Sequence, residues 1–247
     1  MPTISFVMLT WNRKKFVEQM FLAFYKNLSN DFNYEFLIID NGSNDGTKEL
    51  IDKLSEADTN IKVWNNDKNK GLNEYKKLFS KTKGEYVIII DDDVIEFPKS
   101  FDRSLIEYIN EFRDFGFICL DVIQNEFTEG AKPDSQFYTD IERGGKIISE
   151  GPAGGWCAVF RRKDYKKIEI LFYLTGSLSM KKSEDGILCA LFKRVLRLKR
   201  GVIQGVKCLH ACGPYYSKLF GYLDRDIEKY RMSKLNNAAD TYCEYKK

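Results

Sequence analysis

Three consecutive carboxylates, Asp91, Asp92 and Asp93, end the apolar run Tyr86-Val87-Ile88-Ile89-Ile90. A run so short and so apolar reads as a strand buried on both faces, as in a parallel sheet. The acids then stand just past the strand's carboxyl end, the rim on which open α/β sheets bind ligands. Side by side they repel one another unless a cation or strong donors neutralise them. A hard cation, magnesium or manganese, carried with a diphosphate suits them. The segment therefore reads as a metal–nucleotide site, and the alternative is a solvated acidic turn.

The elements that would hold this rim repeat as strand and helix. Ile4 to Leu9 is a first strand, followed by the loop Thr10-Trp11-Asn12-Arg13. Phe16, Met20, Ala23, Phe24 and Leu28 then recur at helical spacing. Phe36 to Ile39 is a second strand ending on Asp40, and Ser43 or Asn44 is expected to cap the helix carrying Leu50, Ile51 and Leu54. Ile61 to Trp64 is a third strand. Asn69-Lys70-Gly71 opens a helix with Leu72, Tyr75, Leu78 and Phe79 inward, and Tyr86 to Ile90 is the fourth strand. Repeated β-α units predict a wound, mostly parallel sheet with helices on both faces. Thr10, Asn12, Asp40 and the three acids would then share one rim.

The second half is less regular. A helix is expected over Ser100 to Phe112, a strand near Phe117 to Leu120, a hairpin or mobile loop over 124–150, and a strand from Cys157 to Phe160. A helix carrying Ile187, Leu188, Leu191, Val195 and Leu198 is expected to stop at Gly201, before a last strand from Val202 that ends on His210.

The chain has 247 residues, of which 43% are hydrophobic and 30% charged, ordinary for a globular protein. With 39 Lys and Arg against 36 Asp and Glu, the formal charge of +3 does not call for a nucleic-acid partner. No basic-then-apolar leader follows Pro2-Thr3, and no apolar stretch approaches a membrane span. The six scattered cysteines do not make a disulfide scaffold, so a reducing cytoplasm is expected.

The order of these signals resembles the GT-A fold glycosyltransferases of family 2 over roughly residues 3 to 213. Thr10-Trp11-Asn12-Arg13 is similar to that family's opening loop, and Leu37 to Thr47 (LIIDNGSNDGT) to its Asp-rich second loop. Asn69-Lys70-Gly71 resembles its Asn-x-Gly turn, Gly84 to Val94 its strand and DxD motif, and Ser183-Glu184-Asp185 its Glu-Asp catalytic motif. Singly these are weak; in this order they reinforce one another.

The resemblance implies an α/β catalytic domain over 1–213, with a nucleotide-binding half (1–95), an acceptor half (96–213) and a small C-terminal extension (214–247). By the same likeness Asp40 would hydrogen-bond the nucleobase, with Thr10 and Asn12 beside it, and Asn69 and Gly71 would admit the nucleoside. Asp91 would contact the ribose or the metal, Asp93 would bind Mn2+ or Mg2+ directly, and Asp92 holds the variable position. Asp185, with Glu184 as the fallback, would be the base that deprotonates the acceptor hydroxyl. The implied reaction is inverting transfer from a nucleotide-diphosphosugar, UDP-sugar by default, to a glycan or lipid-linked saccharide. The rival is a sugar nucleotidyltransferase, although its glycine-rich phosphate loop is missing after the first strand; a non-catalytic nucleotide- or glycan-binding module stands third.

Each remaining motif has a plainer reading beside the functional one. His210 is implied as a further metal ligand, or it is a hydrogen-bonded strand end. Glu184 and Asp185 also suit a helix N-terminus capped by Ser183. Gly154-Gly155-Trp156 resembles an acceptor loop, or is a tight turn with Trp156 in the core. Cys208 and Cys212 around His210 fit period-two strand positions better than a zinc site. Lys193, Arg194, Arg197, Lys199 and Arg200 form a solvated basic face or touch anionic lipid, which would make the protein peripheral at the inner face of a membrane. The tyrosine-rich extension packs on the catalytic domain or binds a partner.

Overall fold

The computed structural model describes residues 3–128 and 132–246. Met1, Pro2, Lys247 and residues 129–131 of the expected hairpin segment lie outside the described residues. The elements in order are β1 (Ile4–Thr10), α1 (Lys14–Asn27), β2 (Tyr34–Asp40), α2 (Thr47–Ala57), β3 (Ile61–Asn65), α3 (Glu74–Lys81), β4 (Tyr86–Ile90), β5 (Val94–Glu96), α4 (Phe101–Glu111) and β6 (Phe115–Val122). Then come β7 (Thr139–Arg143), β8 (Lys146–Glu150), β9 (Cys157–Arg161), α5 (Arg162–Leu174), α6 (Glu184–Leu196), β10 (Lys199–His210), α7 (Pro214–Phe220), α8 (Leu223–Met232) and α9 (Asn236–Glu244).

One sheet runs in the order β3-β2-β1-β4-β9-β6-β10-β8-β7, with β5 paired to the end of β10. β1, β2, β3 and β4 are mutually parallel. Their carboxyl ends therefore meet on one rim, as the β-α repeats predict. β9 lies antiparallel between β4 and β6, which restores the original direction in β6 and in its parallel neighbour β10. β4 and β6 are buried along their whole length, which is why they read as unbroken apolar runs. Helices cover both faces. On one, Phe24 of α1 and Phe101 of α4 meet edge-on at 5.9 Å; on the other, Phe79 of α3 packs 5.7 Å from Phe172 of α5. Gly84 leads into β4 where a Cβ would stand 2.5 Å from the Ser5 backbone nitrogen, so only glycine fits there.

Several local expectations need correction. Neither Ser43 nor Asn44 caps α2: Gly46 holds that position in a left-handed conformation, and the Asp45 carboxylate accepts from the Thr47 N–H at 3.0 Å. Gly201 does not stop α6. Arg197 does, in a left-handed conformation, and Gly201 lies inside β10. Lys199 and Arg200 thus belong to that strand rather than to the helix, and Val195 points outward. The 124–150 segment ends in the β7–β8 hairpin, whose Gly144 and Gly145 both have positive φ, as a tight primed turn demands. The sequence pattern missed α5, because its outward face mixes Lys163, Lys166 and Lys167 with exposed Ile170 and Leu174.

The extension beyond residue 213 is not a loose tail. Phe220 and Tyr222 stack on Phe16 of α1 at 4.3 and 5.4 Å. The Tyr222 hydroxyl accepts from the Lys15 N–H at 2.6 Å, and the Arg225 guanidinium donates to the Trp11 carbonyl at 2.8 and 3.0 Å. The extension is bound to the β1–α1 loop and so to the rim.

Candidate active site

A cleft of about 690 Å³ opens along that rim. Asp91, Asp92 and Asp93 form its floor. Two backbone bonds fix them against the second half of the sheet: the Asp91 N–H donates to the Trp156 carbonyl at 2.9 Å, and the Ala211 N–H to the Asp93 carbonyl at 2.8 Å. These bonds bring His210, the last residue of β10, over the acids. Its Nε2 stands 3.0 Å from Asp93 Oδ1 and 3.7 Å from Asp91 Oδ2. Ligand atoms of Asp91, Asp93 and His210 all lie within 4.8 Å of one another, the spacing of a shared cation. Two carboxylates and one imidazole suit manganese or magnesium, and the nitrogen favours manganese.

Charge in the cleft is arranged around these acids. Burial, reinforced by Asp93 and Asp92, raises Asp91 to about 7 despite His210, so this carboxyl is short of positive charge as it stands. Burial opposes ionisation of Asp93 too, but Arg13 and His210 outweigh it and hold that carboxyl well below its usual range. His210 is likewise disfavoured as a cation by burial, and Asp93 more than compensates, pushing its pKa up. The donor set therefore fits a divalent ion, which would supply the charge that Asp91 lacks.

The sequence places Arg13 only within a loop, yet it organises the floor. One of its nitrogens, Nη1, donates to Asp92 Oδ1 at 3.0 Å and also to Asp93; Nη2 donates to Asp226 of α8 at 3.0 Å. Thr10 lines the cleft and donates to Asp92 Oδ2 at 2.7 Å. Asp92 thus has both oxygens occupied by protein donors. The extension walls the cleft with Arg225, Lys229, Tyr230 and Tyr242. Burial, then Arg13 and Arg225, lower the Lys229 pKa, so its charge faces the cleft at a cost.

On the opposite wall stands the N-terminus of α6. Asp185 Oδ2 accepts from the Gly155 N–H at 3.0 Å; Oδ1 accepts from the Gly186 N–H at 2.6 Å and from the Ser183 hydroxyl. These donors fix the carboxylate while Oδ2 keeps a lone pair free. Glu184 is buried beside it with Oε2 unpartnered, and burial pushes its pKa well above the carboxylate range.

The other predicted residues are placed differently. Asn69 and Gly71 line the cleft; Asn69 Oδ1 accepts from Gly71 N–H at 2.8 Å and from Asn41 at 2.9 Å. Gly71 has φ of +66° with open space where a Cβ would stand. Asp40 is fully buried behind this wall: Oδ2 accepts from Gly42 and Ser43 N–H groups at 3.2 and 2.9 Å, and Oδ1 has no partner. Its neighbour Asn41 is the side of that loop that faces the cleft. Asn12 is outside the lining and ties the loop, accepting from Asn44 N–H at 2.8 Å. Gly155 faces the cleft, but Trp156 does not. Its indole N–H must find an acceptor on burial and donates to the Leu120 carbonyl at 2.9 Å, while its ring stacks 6.0 Å from His210. Trp156 therefore backs the histidine rather than meeting an acceptor. Cys208 is buried in the core, where its thiol faces the Asp121 carbonyl at 3.5 Å.

The model of glycosyl transferase family 2 matches residues 5–169. The chain belongs to that family. An uncharacterized glycosyltransferase of Methanocaldococcus jannaschii is 26% identical over 148 residues, 58% of this chain and 50% of that protein. The dolichol-phosphate mannosyltransferase of Pyrococcus furiosus is 27% identical over 150 residues, 60% of this chain and 38% of that protein. The chain spans half or less of the length of these two relatives. The mannosyltransferase PcManGT from Pyrobaculum calidifontis, solved with GDP-Man and Mn2+, superposes with a TM-score of 0.63 at 13% identity, covering 98% of this chain and 69% of that one. S. aureus TarS 1-349, solved with UDP-GlcNAc, gives 0.62 at 16% identity, covering 98% and 71%. At such identities the likeness establishes the GT-A fold. The family match ends before Asp185, His210 and the extension, so the geometry alone speaks for them.

Proposed function

We propose that the chain is the catalytic domain of a metal-dependent, inverting glycosyltransferase. It moves a sugar from a nucleotide-diphosphosugar, UDP-sugar by default, to a hydroxyl of a growing glycan or glycolipid. The observation that carries this reading is that Asp91, Asp93 and His210 share one cleft with an oriented carboxylate, Asp185, on another wall. Asp91, Asp93 and His210 would hold Mn2+ or Mg2+, and the bound ion would act as a Lewis acid on the leaving diphosphate.

The chain's own groups supply the rest. Asn41, Asn69 and Gly71 form a polar wall for the nucleoside, with Thr10 beneath it and the unpartnered Asp40 oxygen behind it. Arg225 and Lys229 bring positive charge to the wall that the diphosphate would face. Asp185 accepts the proton of the incoming hydroxyl through the free lone pair of Oδ2, and Glu184, favoured as the neutral acid, is a poor base. A single base acting opposite the leaving group gives inversion at the anomeric carbon. The ligands of PcManGT and TarS, GDP-Man with Mn2+ and UDP-GlcNAc, are of the class proposed here. Among the described residues no helix is long and apolar enough to cross a membrane. The proposed location is the cytoplasm, at the inner membrane face where the acceptor is lipid-linked.

Asp185→Asn tests the assignment. Transfer is expected to fall by about 10² to 10⁴, the usual worth of a general base, with donor binding retained. Full activity in that variant, or release of pyrophosphate in place of a nucleoside diphosphate, would overturn it.

A further inference from the structure

A second concavity of about 510 Å³ lies at the opposite end of α6 from Asp185. Three elements bring cations into it: Lys193 from the last turn of the helix, Arg197 from its cap, and Lys199 and Arg200 from the start of β10. Its one acid, Glu150, is bound to Lys199 at 2.9 Å, and Lys199 also faces Asp114 at 3.7 Å. Among the described residues no carboxylate pairs with Lys193, Arg197 or Arg200. Phe137, 59% exposed, forms an apolar edge.

One ordinary explanation reaches only part of this. The negative end of a helix macrodipole attracts cations to the last turn, which accounts for Lys193 and Arg194. It does not account for Arg200 on the neighbouring strand. Nor does it account for Arg197, whose φ of 56° and ψ of 29° place it in the left-handed region at the cap. Glycine is the residue that this position favours, and an L side chain there is strained. Asn12, Ser100 and Lys234 share that left-handed backbone, so what sets Arg197 apart is its place among the cations of this groove.

We propose that this groove binds a phosphate-bearing anion, the phosphoester of a glycan or of a lipid headgroup. Arg197 and Arg200 offer planar guanidinium forks to phosphate oxygens, Lys193 adds a point charge, and Phe137 packs on the adjoining apolar part. Twelve residues of helix rise separate Arg197 from Asp185, about 18 Å along α6. A ligand held here is thus anchored well away from the reacting hydroxyl. The site stands on these cations alone and does not depend on the reaction proposed above.

The test uses Arg197→Gly and Arg200→Ala, with two probes at low salt and without metal. Calorimetric titration with inorganic pyrophosphate reads free phosphate, and co-sedimentation with phosphatidylglycerol against phosphatidylcholine vesicles reads a headgroup. Each variant is expected to weaken at least one probe about tenfold, the loss of one charge-assisted hydrogen bond. UDP binding in the presence of Mn2+ should be unchanged in both. Arg197→Gly should melt no lower than the parent, because glycine relieves the cap, so lost binding cannot be blamed on unfolding. Loss with pyrophosphate alone names a free phosphoester as the source; loss with anionic vesicles names a headgroup. If both variants bind both probes as the parent does, the groove is a solvated helix end and the proposal fails.

Discussion

Arg13→Met is the perturbation that bears most directly on how the floor of the cleft is built. The Arg13 side chain is 9% exposed and bridges Asp92, Asp93 and Asp226, whose side chains are 8%, 8% and 2% exposed. Methionine keeps most of the stem's volume but leaves three buried carboxylates without their shared cation. Removing one partner from a buried ion pair costs about 3–5 kcal/mol. For a domain of this size each kcal/mol moves the melting temperature by about 2–4 °C, so a fall of about 6–20 °C is expected at pH 7. Excess Mn2+ should raise the melting point of parent and variant alike, since an ion at about 100 times its dissociation constant adds about 2.7 kcal/mol. The pH dependence has a definite sign. Burial works against ionisation of Asp93 and Asp226, and the neighbouring arginines, with His210 for Asp93, still hold both folded pKa values low. Such groups stabilise the fold above the unfolded value of about 3.9, and the stabilisation is lost as pH falls through the lower folded values. The gap between parent and variant should therefore be full at pH 7 and close below about pH 4. Differential scanning calorimetry across that range reads it. A fall of less than about 2 °C at pH 7, or a gap that widens in acid, would refute the reasoning.

Mn2+ affinity should rise with pH from about 7 upward, because burial raises Asp91 to about 7, Asp93 pushes His210 up, and the ion must displace both protons. Calorimetry in two buffers of different ionisation heat should show proton release, and none would remove Asp91 and His210 from the ligand set. Gly154→Ala should destabilise by about 1–3 kcal/mol, since the new Cβ would stand 2.2 Å from the Trp156 ring. Displacing that ring from behind His210 should also weaken Mn2+ binding, and unchanged melting and binding would contradict the packing described. Glu184→Gln copies the neutral acid that burial favours, so transfer should stay within about tenfold of the parent, in contrast to Asp185→Asn. Equal losses in the two variants would reverse the assignment of the base.

Local pattern carried the N-terminal half. The β1 to β4 strands, their helices and the acids beyond β4 follow from short apolar runs, 3.6-residue periodicity and the geometry of parallel connection, all of which act over neighbouring residues. Boundaries failed where a side chain overrode the usual choice: Arg197 sits where glycine is preferred, and Asp45 takes the work expected of Ser43 or Asn44. α5 escaped because charged and apolar residues share its outward face. Asp40 and Asn12 fell on the predicted loops but behind or beside the cleft, since only one side of a loop can face a ligand.

The sequence by itself determined the α/β class, the parallel β1–β4 unit and the position of Asp91, Asp92 and Asp93 at a strand's carboxyl end, because periodicity and chain direction are written in consecutive residues. The tertiary structure decided the rest of the site. Insertion of β9 antiparallel between β4 and β6 set Trp156 behind His210, and the end of β10 laid that histidine over Asp93. Arg13 met Asp226 across 213 positions of sequence, turning an extension with no legible role into a wall of the cleft. Contacts of that span leave no periodic trace in the chain, because they are fixed by which buried charges the packed fold leaves for one another.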